Sequence, residues 1–354
     1  MQKIKLMTIV GTRPEIIKLS EIIKKCDYYF EHILVHTGQN YDYELNEIFF
    51  NGFGLRTPDY YLNVSGDHLG ETIGNVLSKS YSIIEKNKPD ALLILGDTNS
   101  ALSSISAKRL KVPIFHMEAG NRCFDENLPE EINRKIIDHI SDVNLAYTEH
   151  ARRFLLFEGI KKDQVFVIGS PMLEVINSNR AKIDNSSILK TLNLKKNKYF
   201  LLSAHREENI DNDSNFIELM NAINSLADTY KLPIIYSMHP RSKKYIEQRN
   251  FIFNKLVKPM KPFGFHDYIS LQKNALCVVS DSGTLAEESS ILNFPAVSIR
   301  TSTERQEVLD KGSFIIGSIS EKSILQSVKL SIDIFNNNEN SVIAPDYNDS
   351  KVSR

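Results

Sequence analysis

Residues 91–120 read ALLILGDTNSALSSISAKRLKVPIFHMEAG, and this stretch decides the fold. Ala91–Leu95 is a short, wholly apolar run of the kind that forms a strand buried on both faces. Gly96-Asp97-Thr98-Asn99 is turn chemistry. Ser100–Leu110 has helical spacing, and Val112–His116 is a second apolar run. Strand, helix and strand in such close succession make a crossover unit, so the sheet is parallel with helices on its faces.

The same alternation continues on both sides. Upstream, Ile4–Val10 reads as a strand, followed by a helix over Pro14–Lys25 with Ile16, Ile17, Leu19, Ile22 and Ile23 as its apolar stripe. His32–His36 is a strand and Glu71–Glu85 a helix. Downstream, Pro129–Ser141 is a helix, and Val143–Tyr147 and Val165–Ile168 are strands. The pattern breaks at Gly169-Ser-Pro-Met, and Asn177–Lys198 reads as a polar helix and linker. It restarts with strands at Tyr199–Ser203, Pro233–Ser237, Ala275–Val279 and Pro295–Ile299, with helices at Ser214–Tyr230 and Glu321–Phe335. The chain has 354 residues, and chains beyond ~250–300 residues outgrow a single core. The expectation is an α/β protein of two Rossmann-like domains, 1–171 and 172–335, facing a central cleft. A polar tail, 336–354, rich in Asn, Asp and Ser, is expected to fray.

Composition narrows the function. Net charge is −1 with 25% charged residues, so no general attraction to nucleic acid or membrane is implied. No apolar run approaches the ~20 residues of a membrane span, and the start reads as a buried strand rather than a signal peptide. Cys26, Cys123 and Cys277 are far apart, with no CxxC pair. That spacing offers no metal site and suits a reducing cytoplasm. Neither GxGxxG nor GxxxxGK[ST] occurs, which argues against a standard NAD site or a P-loop.

Polar clusters follow the strands, where open parallel sheets bind ligands. Gly11-Thr-Arg13-Pro-Glu-Ile-Ile-Lys18 after the first strand is a candidate anion site at a helix start, and equally a simple turn. Asp97 and Glu118 follow consecutive strands and should be neighbours. Asp97 alone reads equally as a helix N-cap, and Glu118 as a solvated loop residue. Glu130 and Arg134 share a helix face at i,i+4 spacing, while Glu131 reads as a match to the helix dipole. In the second half, His205 and Arg206 end a strand and suit phosphate oxygens. Ser282, Gly283 and Thr284 open a helix as a phosphate cradle, with Glu288 one turn on, placed for ribose hydroxyls. Arg305 follows the last major strand.

Taken in order, GTRPEIIK, GDTNS, HMEAGNR, LPEEINR, AHREEN, DSGTLAEE and TERQE resemble the non-hydrolysing UDP-N-acetylglucosamine 2-epimerases over nearly the whole chain. The resemblance implies a glycosyltransferase-B-like fold, no redox cofactor, and UDP and a UDP-sugar as partners of a homodimer. It implies loss of the carbon 2 proton as UDP leaves carbon 1, a 2-acetamidoglycal intermediate, and return of UDP with protonation from the other face. By position Asp97, Glu118 and Glu130 match the family's acid and base residues, their individual roles left open. His205 matches the group that stabilises the departing diphosphate, helped by Arg13, Lys18 and Arg206. Ser282, Gly283 and Glu288 match UDP-binding positions, and Arg134 and Arg305 match cleft arginines.

TGQNYDYEL (Thr37–Leu45) departs from the family's usual TGQHREML, with Asn40 and Tyr41 in place of His and Arg. Together with NEIFF, HMEAGNRCFDENLPEE and SSILNFPA it is similar to the UDP-N-acetyl-L-fucosamine synthase subgroup. That subgroup acts on UDP-2-acetamido-2,6-dideoxy-L-talose for capsule or O-antigen. Tyr41, Tyr43 and Phe124 are candidate contacts for the 6-methyl group. The rival readings are a UDP-N-acetylglucosamine/UDP-N-acetylmannosamine 2-epimerase, a hydrolysing relative, a glycosyltransferase of the same fold, and a catalytically silent UDP-sugar sensor.

Overall fold

A computed structural model describes residues 3–38, 43–126, 128–300, 303–311, 315–337, 343 and 345–354. Asn40 and Tyr41, and the side chain of Tyr43, lie outside the described residues. The chain divides into two units, 1–178 with 345–354, and 179–344.

Among the described residues the first unit holds seven strands: β1 (Lys5–Val10), β2 (Glu31–His36), β3 (Tyr60–Tyr61), β4 (Ala91–Leu95), β5 (Ile114–Ala119), β6 (Val143–Ala146) and β7 (Val165–Val167). They lie in the order β3-β2-β1-β4-β5-β6-β7, and each pair is parallel. The second unit holds six: β8 (Phe200–Ser203), β9 (Ile234–Ser237), β10 (Val257–Met260), β11 (Cys277–Ser280), β12 (Ala296–Ser298) and β13 (Ile315–Ile316). Their order, β10-β9-β8-β11-β12-β13, repeats the first six of the other sheet, again all parallel. In both sheets the order reverses beside the first strand, between β1 and β4 and between β8 and β11. Such a switch point is where open α/β sheets place their ligands.

The strands are apolar because helices cover both faces. Met7, Ile9, Leu92, Ile94 and Ile114 meet Val76, Ile84, Ala107 and Ile137 of the helices. In the second unit Phe200, Leu202, Tyr236 and Val279 meet Phe216, Ile223, Leu226 and Val328. Each such side chain contributes about 1.5–3 kcal/mol when fully buried. Pro14 sits in the first turn of the helix Arg13–Tyr29, where its missing N–H is no loss.

Two expectations change. The polar tail does not hang free over Pro345–Arg354. Tyr347 is fully buried, Ser170 N donates to Asp346 O at 3.0 Å, and Ser353 donates to Glu174 through N and Oγ. A polar composition hides one aromatic anchor and a set of hydrogen bonds into the first unit. The strand expected at Val112–His116 instead runs from Ile114 to Ala119, so Glu118 belongs to the sheet's edge of exit and not to a solvated loop. Among the described residues no helix is long and apolar enough to cross a membrane.

Candidate active site

In the first unit the candidate side chains gather at the carboxyl ends of β1, β4 and β5. β4 pairs with β5, with Leu95 opposite Met117, so Asp97 and Glu118 emerge from neighbouring strands as expected. Asp97 is not a helix N-cap; Thr98 holds that place for the short turn Asn99–Leu102. Asp97 is instead gripped by the helix Pro129–Ile140. Arg134 Nη2 lies 2.5 Å from its Oδ2, and Asn133 Nδ2 donates to its carbonyl at 2.8 Å. Arg134 therefore serves Asp97, not Glu130. Glu130 is half-buried in the first turn of that helix.

Glu118 sits at a break in the β5–β6 register, between Met117 and Ala119, with φ at +65°. Non-glycine residues adopt this left-handed region rarely and at a cost of about 1–3 kcal/mol. Its Oε2 is 2.7 Å from Lys18 Nζ, and both side chains are nearly inaccessible. Lys18 is thus paired with a carboxylate, a partner the resemblance did not name for it. Arg13 is half-buried, its guanidinium 5.9 Å from the Phe49 ring centroid.

Two carboxylates that sequence reasoning passed over organise this end. Glu15 is buried; its Oε2 accepts from Gly11 N (3.1 Å) and Thr12 Oγ1 (2.7 Å), and its Oε1 from Ser100 Oγ (2.7 Å). It fastens the turn after β1 to the turn after β4. Burial outweighs these hydrogen bonds and raises its carboxyl to about 7. Glu131, expected only to match the helix dipole, is fully buried. It accepts from Cys123 N (3.1 Å), Phe124 N (3.3 Å) and Arg134 Nη1 (3.0 Å), so it fixes both the loop and the arginine on Asp97.

In the second unit the turn after β8 and the turn after β11 are joined by Asp281, which is fully buried. Its Oδ2 accepts from His205 N (2.8 Å) and Arg206 N (2.9 Å), and its Oδ1 is 3.1 Å from His205 Nδ1. Burial works against ionisation, but the His205 ring and the two backbone N–H groups hold this carboxyl down to about 2. His205 Nδ1 thus faces Asp281, and the ring is half-exposed. Arg206 Nε donates to the Asp281 carbonyl at 3.1 Å. The signal for Asp281 was its place at the head of DSGT, directly after a strand.

Ser282, Gly283 and Thr284 follow, half-buried, and Ser282 Oγ is 3.0 Å from Thr284 Oγ1. A Cβ at Gly283 would lie 2.8 Å from Glu304 Oε1, so a side chain here would have to displace the buried Glu304 carboxylate. Glu288 accepts from Gln272 Nε2 at 2.6 Å and is 5% exposed. Arg305 is fully buried, 2.6 Å from Glu287 Oε1. That ion pair places Arg305 inside the unit rather than on its surface.

The family model described as UDP-N-acetylglucosamine 2-epimerase matches residues 24–354. A UDP-N-acetylglucosamine 2-epimerase structure from Rickettsia bellii is 49% identical, with TM-score 0.92, over 99% of this chain and 94% of that one. The Methanocaldococcus jannaschii enzyme, solved with UDP-GlcNAc and UDP, is 35% identical, with TM-score 0.93, over 99% of this chain and 97% of that one. The UDP-2,3-diacetamido-2,3-dideoxy-D-glucuronate 2-epimerase of Pseudomonas aeruginosa is 31% identical, covering 93% of this chain and 92% of its own. With two parallel-sheet α/β domains and matches of this extent, the chain belongs to the UDP-N-acetylglucosamine 2-epimerase family of isomerases.

Proposed function

We propose that the protein inverts carbon 2 of a UDP-linked N-acetylhexosamine by elimination and re-addition of UDP. The proton at carbon 2 goes to a carboxylate while the C1–O bond breaks and its electron pair leaves with UDP. The 2-acetamidoglycal then takes a proton at carbon 2 from the opposite face as UDP returns to carbon 1. Atoms and electrons balance without an oxidant or reductant. The observation that carries this reading is the pair Asp97 and Glu118 at neighbouring strand ends, each set against its own buried cation. With Glu130, they supply the acid and base.

The second unit supplies nucleotide recognition. Ser282, Gly283 and Thr284 serve the phosphates, Glu288 the ribose, and His205 with Arg206 the charge that builds on the departing diphosphate. Lys18 and Arg134 act through the carboxylates, and Arg13 serves the anion.

For the sugar we propose UDP-2-acetamido-2,6-dideoxy-L-talose, converted to UDP-N-acetyl-L-fucosamine for capsule or O-antigen. The support is the TGQNYDYEL segment and its companion motifs. The relatives named for UDP-N-acetylglucosamine favour that sugar as the second reading. A relative named for a diacetamido-glucuronate supports a family that varies its sugar while keeping the chemistry. The resemblance also supports a cytoplasmic homodimer.

Proton NMR in D₂O with UDP-N-acetyl-L-fucosamine and UDP-N-acetylglucosamine side by side tests both levels. Deuterium entering carbon 2 of the L-sugar alone, with its epimer appearing, is the expected result. Exchange in the D-sugar alone replaces the substrate and keeps the chemistry; exchange in neither sinks the epimerase reading.

A further inference from the structure

We infer that Asp138 is a positioning residue for this reaction: through backbone and ring contacts it holds Glu118 and the Asp97 turn in their working geometry. The inference rests on the epimerase reading above.

Glu118 holds a φ of +65°. A strained residue of this kind persists only where its surroundings over-determine it. Two residues on, Gly120 has φ at +81°, and its N–H points at both carboxylate oxygens of Asp138, 3.2 Å from each. A Cβ at Gly120 would lie 2.4 Å from the Ala151 carbonyl oxygen, so the chain has no slack there. Two residues before Glu118, the His116 ring is fully buried with Nδ1 2.9 Å from Asp138. Its Nε2 donates to the Gly96 carbonyl at 2.9 Å, directly before Asp97. One carboxylate thus grips the β5 exit on both sides of Glu118 and, through His116, reaches the β4 exit.

Asp138 is itself anchored. Arg122, fully buried, donates from Nη1 to Asp138 at 2.7 Å and to the Asn121 carbonyl at 2.8 Å. Its Nε and Nη2 reach the two oxygens of Glu158 at 2.7 and 2.6 Å. Burial opposes ionisation of Asp138, and His116 and Arg122 overcome it, leaving its carboxyl below the usual range. A buried ionic cluster adds little net stability over an apolar equivalent, so geometry is the better reason to build one. None of the three side chains is assigned a contact with the substrate.

The experiment uses the full chain and whichever of the two nucleotide sugars the wild type epimerises. For Asp138→Asn, kcat falls about 100-fold, the scale of a small misplacement of reacting groups. Its KM and its UDP affinity by calorimetry stay within about threefold, since the nucleotide set lies on the other unit. Glu158→Gln removes only the outer, half-exposed anchor of Arg122, and kcat falls about fivefold with UDP affinity kept. This variant decides the matter where Asp138→Asn does not fold. A kcat within about twofold of wild type in every folded variant overturns the inference. So does a loss of kcat matched by an equal loss of UDP-binding protein, the mark of a purely structural role. A wild type that exchanges neither sugar overturns the epimerase reading, and this inference with it.

Discussion

The two sheets share one strand order, and each joins the turns at its switch point through a buried carboxyl group, yet the two carboxyls are shifted in opposite directions. Glu15 joins the turns after β1 and β4 and is raised to about 7. Asp281 joins the turns after β8 and β11 and is lowered to about 2. Burial is complete at both, so burial does not decide. Partners do: Glu15 has two hydroxyls and the backbone N–H groups of Gly11 and Thr12, and Asp281 has two backbone N–H groups, the Asn209 amide and an imidazole. Neutral donors leave the desolvation penalty largely unmet, whereas a charged neighbour reverses it. In the first unit the bridge fixes the turns after β1 and β4, beside the candidate carboxylate Asp97. In the second it also sets a negative charge behind His205, 3.1 Å from its Nδ1.

The largest effect is expected where that charge is removed. Asp281→Asn keeps the shape of the bridge but offers His205 Nδ1 no anion. We expect kcat to fall about 100- to 1,000-fold, the scale of losing one electrostatic stabiliser. Stability should move in a defined pH window. A depressed carboxyl stabilises the fold above its unfolded value of 3.8, and that contribution is lost as pH falls through about 2. Asp281→Asn should lack this acid-range loss. Wild-type kcat in the variant would break the comparison, reducing Asp281 to a turn fastener like Glu15.

Glu15→Gln probes the opposite case. A raised carboxyl binds its proton more tightly in the folded protein. Its stabilisation is fully present below 4.5 and is lost as pH rises through about 7. The shift corresponds to about 3 kcal/mol between the two limits. Gln keeps an acceptor for Gly11 and Thr12, offers Ser100 an N–H, and never ionises. Urea midpoints at pH 5 and pH 8 should therefore differ less in Glu15→Gln than in wild type, with the variant the more stable at pH 8. An equal pH slope in both proteins would show that Glu15 is ionised throughout and that the two bridges are alike.

What the sequence discloses follows the same physics. The central strands are legible because burial on both faces makes them continuous apolar runs, as in Ala91–Leu95. The strands it misses, β3, β10 and β13, lie at the sheet edges. Two of them are only two residues long, and β10 carries Pro259, which an edge strand tolerates. At the site, Asp97, Glu118 and His205 are legible because they directly follow strong strands. Glu15, Glu131 and Asp138 are not, because their work is to hold other groups; Asp281 also directly follows a strand, and only its grip on His205 is hidden. Glu131 resembles any acid in a first turn, and Asp138 any polar residue late in a helix. Only coordinates separate a buried acid that accepts three hydrogen bonds from a solvated one.

The smallest effect is expected at Phe124, and it sharpens the division of labour between the units. Phe124 projects from the loop held by Glu131, 63% exposed, with its ring edge-on to Phe154 at 5.3 Å. It belongs to the unit that carries the carboxylates, so it should act on the sugar and not on UDP. A methyl group in place of a hydroxyl is worth about 1–3 kcal/mol to an apolar contact. For an exposed ring the low end applies. Phe124→Ala should then lower the ratio of kcat/KM for the 6-deoxy-L-sugar over UDP-N-acetylglucosamine about fivefold. UDP affinity should be unchanged, because Ser282, Gly283, Thr284 and Glu288 lie on the other unit. An unaltered ratio removes Phe124 from the sugar's surroundings, and a loss of UDP affinity would show that the units do not divide recognition in this way.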